Sequence, residues 1–93
     1  MTTKIERLLD NLESLGSPNA IAEFLRLQGC RGRRGDAFKC PVATYITQNT
    51  GAQQLLISKP LWTTIAETGI TPPTVGQFVA MFDGGDYPDL VVP

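Results

Sequence analysis

The sequence predicts a single α+β domain in which a helical layer packs on a two-stranded antiparallel hairpin, in the order ααα-ββ-α with an extended C-terminal tail. Three observations predict this class. Apolar residues recur at helical spacing over the first half of the chain, β-branched and aromatic residues then alternate as in strands, and a last helical stripe follows. The 93 residues, 42% of them hydrophobic, suit one domain over 1–93, with 85–93 as its acidic tail.

The first two helices are marked by their capping residues. Thr3 and Glu6 have the spacing of a capping box, which predicts a helix over 4–15 with a glycine directly after it. Ser17 is suited to cap a second helix because proline, the residue preferred at the first helical position, follows it. Gly29 closes this second helix.

The third and fourth helices are bounded in the same way. Cys40 precedes Pro41 as N-cap and first helical residue, and Gly51 ends the short third helix. The fourth helix opens at the prolines that follow Thr71 and ends at Gly84. Its apolar stripe predicts one buried face, formed by Val75, Phe78, Val79 and Phe82.

Between the third and fourth helices the sequence predicts the hairpin. Residues 53–58 and 61–66 are the two strands, and Lys59 and Pro60 form the turn between them. A hairpin of this size needs the helices as cover, and its two edges remain open. Pairing of one edge with a second copy of the chain would therefore give a homodimer.

The net charge of −1 conceals a segregation of charge along the chain. Residues 26–39 hold five cations against Asp36, a net charge of +4, whereas 40–82 hold only Lys59 and Glu67. Charge depletion is typical of interface cores. The alternative interpretation of the charge-poor stretch is a solvated, threonine-rich hairpin surface.

The strongest candidate for binding is the arginine loop, residues 29–39, where glycines separate arginines. Such a backbone can approach a phosphate closely or enter a narrow minor groove, and an aromatic residue beside a cation adds stacking. The alternative is a loop whose arginines pair with the tail aspartates Asp83, Asp86 and Asp89. This alternative, or binding of a protein partner, is preferred over binding of a nucleic acid. The predicted partner-binding residues of the loop are Arg31, Arg33, Arg34, Phe38 and Lys39.

Aromatic residues outside this loop are also candidates for a binding surface. Trp62 lies in the second predicted strand, and paired with Tyr45 or Tyr87 it could anchor a partner. The alternative is that Trp62 is the largest residue of the hydrophobic core.

A second function is suggested by the order of elements. Two helices followed by a hairpin match a winged helix-turn-helix, in which the third helix would read the major groove through Thr44, Thr47, Gln48 and Asn49. The connection between the helices is eleven residues long where three or four are usual. Only Lys59 supplies a positive charge on the third helix and hairpin, and phosphate neutralisation needs more.

Several classes of function are disfavoured by what the chain lacks. It has no histidine, so most zinc sites and most general-base mechanisms are removed. Gly32 and Gly35 do not stand between a strand and a helix, as a phosphate-binding loop requires. We expect a non-enzymatic protein with no catalytic, cofactor or metal site.

Cys30 and Cys40 are expected to be reduced, partly buried thiols, with a disulfide or a metal shared between molecules as alternatives. The helix dipole and Lys39 would favour the Cys40 thiolate. Because no base is evident, the expected role of Cys40 is to cap the third helix. The longest apolar run is three residues and the N-terminus is charged, so we expect a cytoplasmic protein that does not enter a membrane.

Three features of the sequence are shared with a known group. They are Gly29 and Gly32, the run Cys-Pro-Val-Ala-Thr-Tyr-Ile over 40–46, and the ending Phe-Asp-Gly-Gly-Asp-Tyr-Pro-Asp-Leu over 82–90. In these the chain resembles small proteins of actinobacteria and their bacteriophages, a likeness that covers residues 3–92. The resemblance implies a cellular setting and no mechanism. We therefore predict a small regulatory or host-directed effector that binds a host protein.

Overall fold

The structure is a computed structural model that describes residues 3–52 and 54–92. Within these residues the predicted α+β class is confirmed. The elements in chain order are α1 (Lys4–Glu13), α2 (Pro18–Leu27), α3 (Pro41–Thr50), β1 (Leu56–Ile57), β2 (Leu61–Thr63), β3 (Thr68–Ile70) and α4 (Pro73–Asp83), followed by a 3₁₀ turn at Pro88–Leu90. No helix in this part of the chain is both long enough and apolar enough to cross a membrane.

The predicted two-stranded hairpin is wrong, because the described sheet has three antiparallel strands in the order β1-β2-β3. The second predicted strand, 61–66, breaks at Thr64. The Thr64 hydroxyl accepts the N–H groups of Ala66 at 3.2 Å and Glu67 at 3.0 Å, and its own N–H donates to the Glu67 carbonyl. A threonine turn thus reverses the chain where no glycine or proline marks it. Gln53, the first residue predicted as strand, lies outside the described residues.

Trp62 belongs to the inner face of the sheet. Its side chain is 1% exposed and packs against Gly69, the residue opposite it on β3. Trp62 is therefore unavailable to a partner in the folded chain, which corrects its prediction as a binding residue. The neighbouring pair on the outer face, Leu61 and Ile70, is exposed.

The hydrophobic core lies between the helices and the inner face of the sheet. Helix α2 packs on α4, and α1 packs on both α3 and α4. Glu13, at the end of α1, joins two of these helices directly, because its carboxylate accepts the N–H groups of Thr74 and Val75. Pro72 at the N-cap of α4 makes no side-chain cap, so Glu13 supplies the acceptor that this helix start requires.

The C-terminal residues fold back on the domain, and the 3₁₀ turn interrupts the predicted extended tail. The Tyr87 ring stacks on Phe78 with centroids 5.2 Å apart, and its hydroxyl donates to Asn19 on α2 at 2.7 Å. Beyond the 3₁₀ turn, Val91 forms a parallel bridge with Gly32. The tail therefore contacts α2, α4 and the arginine loop.

Candidate binding site

The arginine loop is held by backbone hydrogen bonds to the tail and to its own far end. The Gly32 N–H donates to the Leu90 carbonyl at 2.8 Å, and the Gly32 carbonyl accepts the Val92 N–H at 2.9 Å. The next residue, Arg33, donates its N–H to the Lys39 carbonyl at 2.8 Å. These bonds fix the path of the loop, so its side chains project from a defined backbone.

Arg34 is committed to the end of α4. Its guanidinium donates to the carbonyls of Phe82 at 3.1 Å and Gly85 at 2.8 Å, and lies 5.9 Å from the centre of the Phe82 ring. The negative end of the helix dipole stabilises a cation at this position. The Gly35 N–H adds a bond to the Asp83 carboxylate at 3.0 Å. Arg34, predicted to bind a partner, therefore ties the loop to α4.

In the described part of the chain, Asp83, Asp86 and Asp89 form no ion pair with the arginines of the loop, contrary to the alternative interpretation. Arg26 on α2 forms ion pairs with Asp89 and Glu23. The hydrogen bond from Arg26, and in smaller part the charge of Arg31, lowers the pKa of Asp89. Across residues 3–52 and 54–92 these are the ion pairs found, so Arg31, Arg33 and Lys39 keep exposed charges without a carboxylate partner.

Phe38 is an exposed aromatic residue on a rigid turn. Its side chain is 50% exposed, while its N–H donates to the Asp36 carboxylate at 3.0 Å. The Lys39 N–H donates to the Asp36 carbonyl at 2.9 Å, and the Ala37 carbonyl accepts the N–H of Ile57 on β1 at 3.1 Å. The turn is therefore fixed both to itself and to the sheet edge.

An open groove of about 690 Å³ begins at this aromatic side chain and runs along the end of α3. We call it the Phe38 groove. Its walls are neutral and partly apolar, and Lys39 supplies its positive end. The lining residues are Phe38, Lys39, Thr47, Ala52, Gln54 and Leu55.

The predicted site residues thus separate into two groups. Phe38 and Lys39 meet in the groove, and Arg31 and Arg33 are exposed on the same loop. The other three make contacts within the chain: Arg34 is hydrogen-bonded to the end of α4, Trp62 is buried, and the Tyr45 ring meets Phe24 edge-on at 5.3 Å. Four groove residues were not predicted as partner-binding residues, although the lack of charge in 40–82 was a signal for them: Thr47, Ala52, Gln54 and Leu55.

The polar side chains of α3 are largely bonded within the chain. The Thr44 hydroxyl donates to the Arg31 carbonyl at 3.0 Å, and the Asn49 amide donates to the Tyr45 carbonyl at 2.8 Å. The Gln48 side-chain oxygen accepts a weak bond from the Cys30 thiol at 3.6 Å. Of the four residues suited to reading bases, Thr47 alone has no such bond among the described residues.

Cys30 and Cys40 are free and buried. The Cys40 sulfur accepts the Ala43 N–H at 3.4 Å, which confirms its role as the cap of α3. The expected preference for the thiolate is wrong, because burial raises the pKa of Cys40 from an ordinary 9.0 to about 11. In the described part of the chain, no three histidine, cysteine, aspartate or glutamate side chains gather as a metal site.

Alkaline pH should destabilise the fold through Cys40. The thiol holds its proton to about pH 11 when folded and loses it near pH 9.0 when unfolded, so stability present below pH 9.0 falls as the pH rises through 11. Cys40→Ser keeps an acceptor for the cap and does not ionise. Denaturant unfolding across this pH range should show wild type losing about 2 kcal/mol more than Cys40→Ser. Parallel pH profiles for the two chains would contradict the burial of this thiol.

Comparison with known proteins identifies no relative of this chain. No protein-family model matches the sequence, and no curated protein and no solved structure matches it. The function of the Phe38 groove is therefore inferred from its own geometry and charge.

Proposed function

We propose that this chain is a non-enzymatic binding protein that takes up an acidic, partly apolar segment of a partner protein in the Phe38 groove. The observation that carries the proposal is Phe38 itself: a half-exposed aromatic side chain, on a fixed turn, beside Lys39, which forms no ion pair with the described residues. A large exposed aromatic residue costs free energy in water. Covering it with a partner recovers that free energy.

The rigidity of the turn favours binding. A segment whose backbone is ordered before association loses less conformational entropy on binding than one that must be ordered by the partner. Three hydrogen bonds hold the Phe38 turn: the Phe38 N–H donates to the Asp36 carboxylate, the Lys39 N–H to the Asp36 carbonyl, and the Ile57 N–H to the Ala37 carbonyl. Phe38 is thus preorganised as the anchor of an interface, the role that aromatic residues commonly have.

Charge complementarity selects the chemistry of the partner. Lys39 lines one end of the groove, and Arg31 and Arg33 are exposed on the same loop, whereas the walls of the groove along α3 are uncharged. A segment with acidic residues at one end and apolar residues at the other matches both features. A uniformly charged or uniformly apolar segment matches only one of them.

A protein segment suits this surface better than a nucleic acid. The chain has a net charge of −1, and Asp83 and Asp89 lie against the arginine loop and its neighbour Arg26. A phosphate backbone needs several neutralising contacts along its length. Arg34, the fourth cation of the loop, is already bonded to the end of α4.

The resemblance to small proteins of actinobacteria and their bacteriophages extends this proposal to a cellular role. A protein of this kind acts by binding one host protein, as a regulator or a host-directed effector. The shared runs include Cys40, which caps α3, and Tyr87, which fixes the tail. The shared residues therefore support the scaffold that presents the groove.

Capture from a nuclease-treated actinobacterial lysate tests the proposal. We expect immobilised wild type to retain a protein that Phe38→Ser retains at least about tenfold less. The matched control is Leu27→Ser, which removes a large apolar side chain that is 76% exposed on α2. It should retain the same protein as wild type. Retention seen only from a parallel lysate without nuclease, or retention that Phe38→Ser leaves unchanged, would contradict the proposal.

A further inference from the structure

The two edges of the sheet differ in their backbone hydrogen bonds. On the β1 edge, the Ile57 N–H donates to the Ala37 carbonyl at 3.1 Å. Between β2 and β3, the Thr64 N–H donates to the Glu67 carbonyl and the Thr71 N–H donates to the Pro60 carbonyl. Trp62 and Gly69, which lie midway between these bonds, are therefore a hydrogen-bonded pair of the ladder. Because bonding alternates along an antiparallel ladder, the N–H and C=O groups of the residues either side of Gly69 point away from β2.

Those residues, Thr68 and Ile70, lie at the edge of the described sheet, and the side chains around them are apolar and exposed. Ile70 is 79% exposed, Leu61 beside it is 50% exposed, and Ile65 in the adjoining turn is 78% exposed. Natural edge strands are usually protected by being very short, or by a charged residue, a proline or a bulge. β3 is three residues long, and its sequence Thr-Gly-Ile contains no charged residue and no proline.

We propose that two copies of the chain pair antiparallel along β3 and join their sheets into one. A two-fold axis at Gly69 places Thr68 of each copy opposite Ile70 of the other. The outward N–H and C=O groups of both residues then face their counterparts, as a hydrogen-bonded pair requires. This edge is complementary to itself, which is the condition for a two-fold dimer.

The side chains and charges agree with a second copy as the occupant. Antiparallel pairing makes the two Ile70 side chains diagonal neighbours on the outer face, within reach for apolar contact. It also brings Glu67, at one end of the hairpin, toward the end of the copy that carries Lys59. A parallel arrangement would instead set each Glu67 beside its equivalent, where like charges repel.

Sedimentation from low micromolar to near-millimolar concentration tests this proposal. We expect the mass to rise from 10.1 kDa toward twice that value with increasing concentration. Ile70→Lys should weaken the dimer at least about tenfold, because a charged edge resists strand pairing. Leu27→Lys is the matched control, since Leu27 is equally exposed on α2, and it should leave the dimer unchanged.

Hydrogen exchange of wild type locates the contact without any substitution. We expect the amides of Thr68 and Ile70 to exchange quickly in dilute solution and at least about tenfold more slowly in concentrated solution. A mass of 10.1 kDa throughout the range would overturn the proposal. So would a dimer in which these two amides still exchange quickly, because its interface would lie elsewhere. The Phe38 groove uses none of these residues, so the two proposals succeed or fail separately.

Discussion

Gly32→Ala should destabilise the chain by about 3 kcal/mol or more, because the added methyl group has no space. A Cβ atom at Gly32 would lie 2.0 Å from the Lys39 carbonyl oxygen and 2.6 Å from the Cys40 carbonyl carbon. Both are backbone atoms, so no side-chain rotation can relieve the overlap. The backbone of the loop must move, and it would lose the Gly32 bonds to Leu90 and Val92.

Denaturant unfolding of Gly32→Ala against Gly84→Ala measures this effect. Gly84 ends α4 with an ordinary φ of −79°, and a Cβ there would meet its nearest neighbour, the Ala80 carbonyl oxygen, at 3.3 Å. We expect that control to change the free energy of unfolding by less than about 1 kcal/mol. Equal values for the two variants would show that the loop and the tail do not pack as described.

Gly69→Ala should cost the next largest amount, about 2–3 kcal/mol. A Cβ atom at Gly69 would lie 2.6 Å from the indole ring of Trp62, which is almost fully buried and cannot swing into solvent. The ring must shift within the core or β3 must separate from β2. Because interiors are close-packed, either movement disturbs further contacts.

A double-mutant cycle separates this overlap from a general weakening of β3. Trp62→Leu removes the part of the ring that the new methyl group would strike. Gly69→Ala should therefore cost at least about 1 kcal/mol less in the Trp62→Leu background than in wild type. Additive free energies of unfolding would contradict a direct contact between Trp62 and Gly69.

The helices were predictable because their signals are local. The Thr3 and Glu6 capping box, Pro18 and Pro41 each act within one helical turn of the residue that they affect. The third strand was missed because Thr64 makes its turn through a side-chain hydroxyl, in a sequence whose alternation continues past it. The same residues are compatible with a continued strand, so the sequence pattern alone does not distinguish the turn from the strand.

The site was predictable only in part, through Phe38 and Lys39 of the arginine loop. The arginine loop is evident from its charge, yet the division of roles within it depends on distant partners. Arg34 bonds to residues 48 and 51 positions away, whereas Phe38 is fixed by Asp36, two positions away. Long-range contacts of the first kind leave no periodic trace in a sequence. The groove itself forms only when Ala52, Gln54 and Leu55 come close to the loop.

The most direct test of the Phe38 groove is selection from a display library of random peptides on immobilised wild type. We expect the enriched peptides to combine acidic residues with a large apolar residue, and to lose at least about tenfold in affinity on Phe38→Ser and on the charge reversal Lys39→Glu. Leu27→Ser should bind them as wild type does. Peptides that lack acidic residues, or that bind Phe38→Ser equally well, would contradict a binding site in this groove.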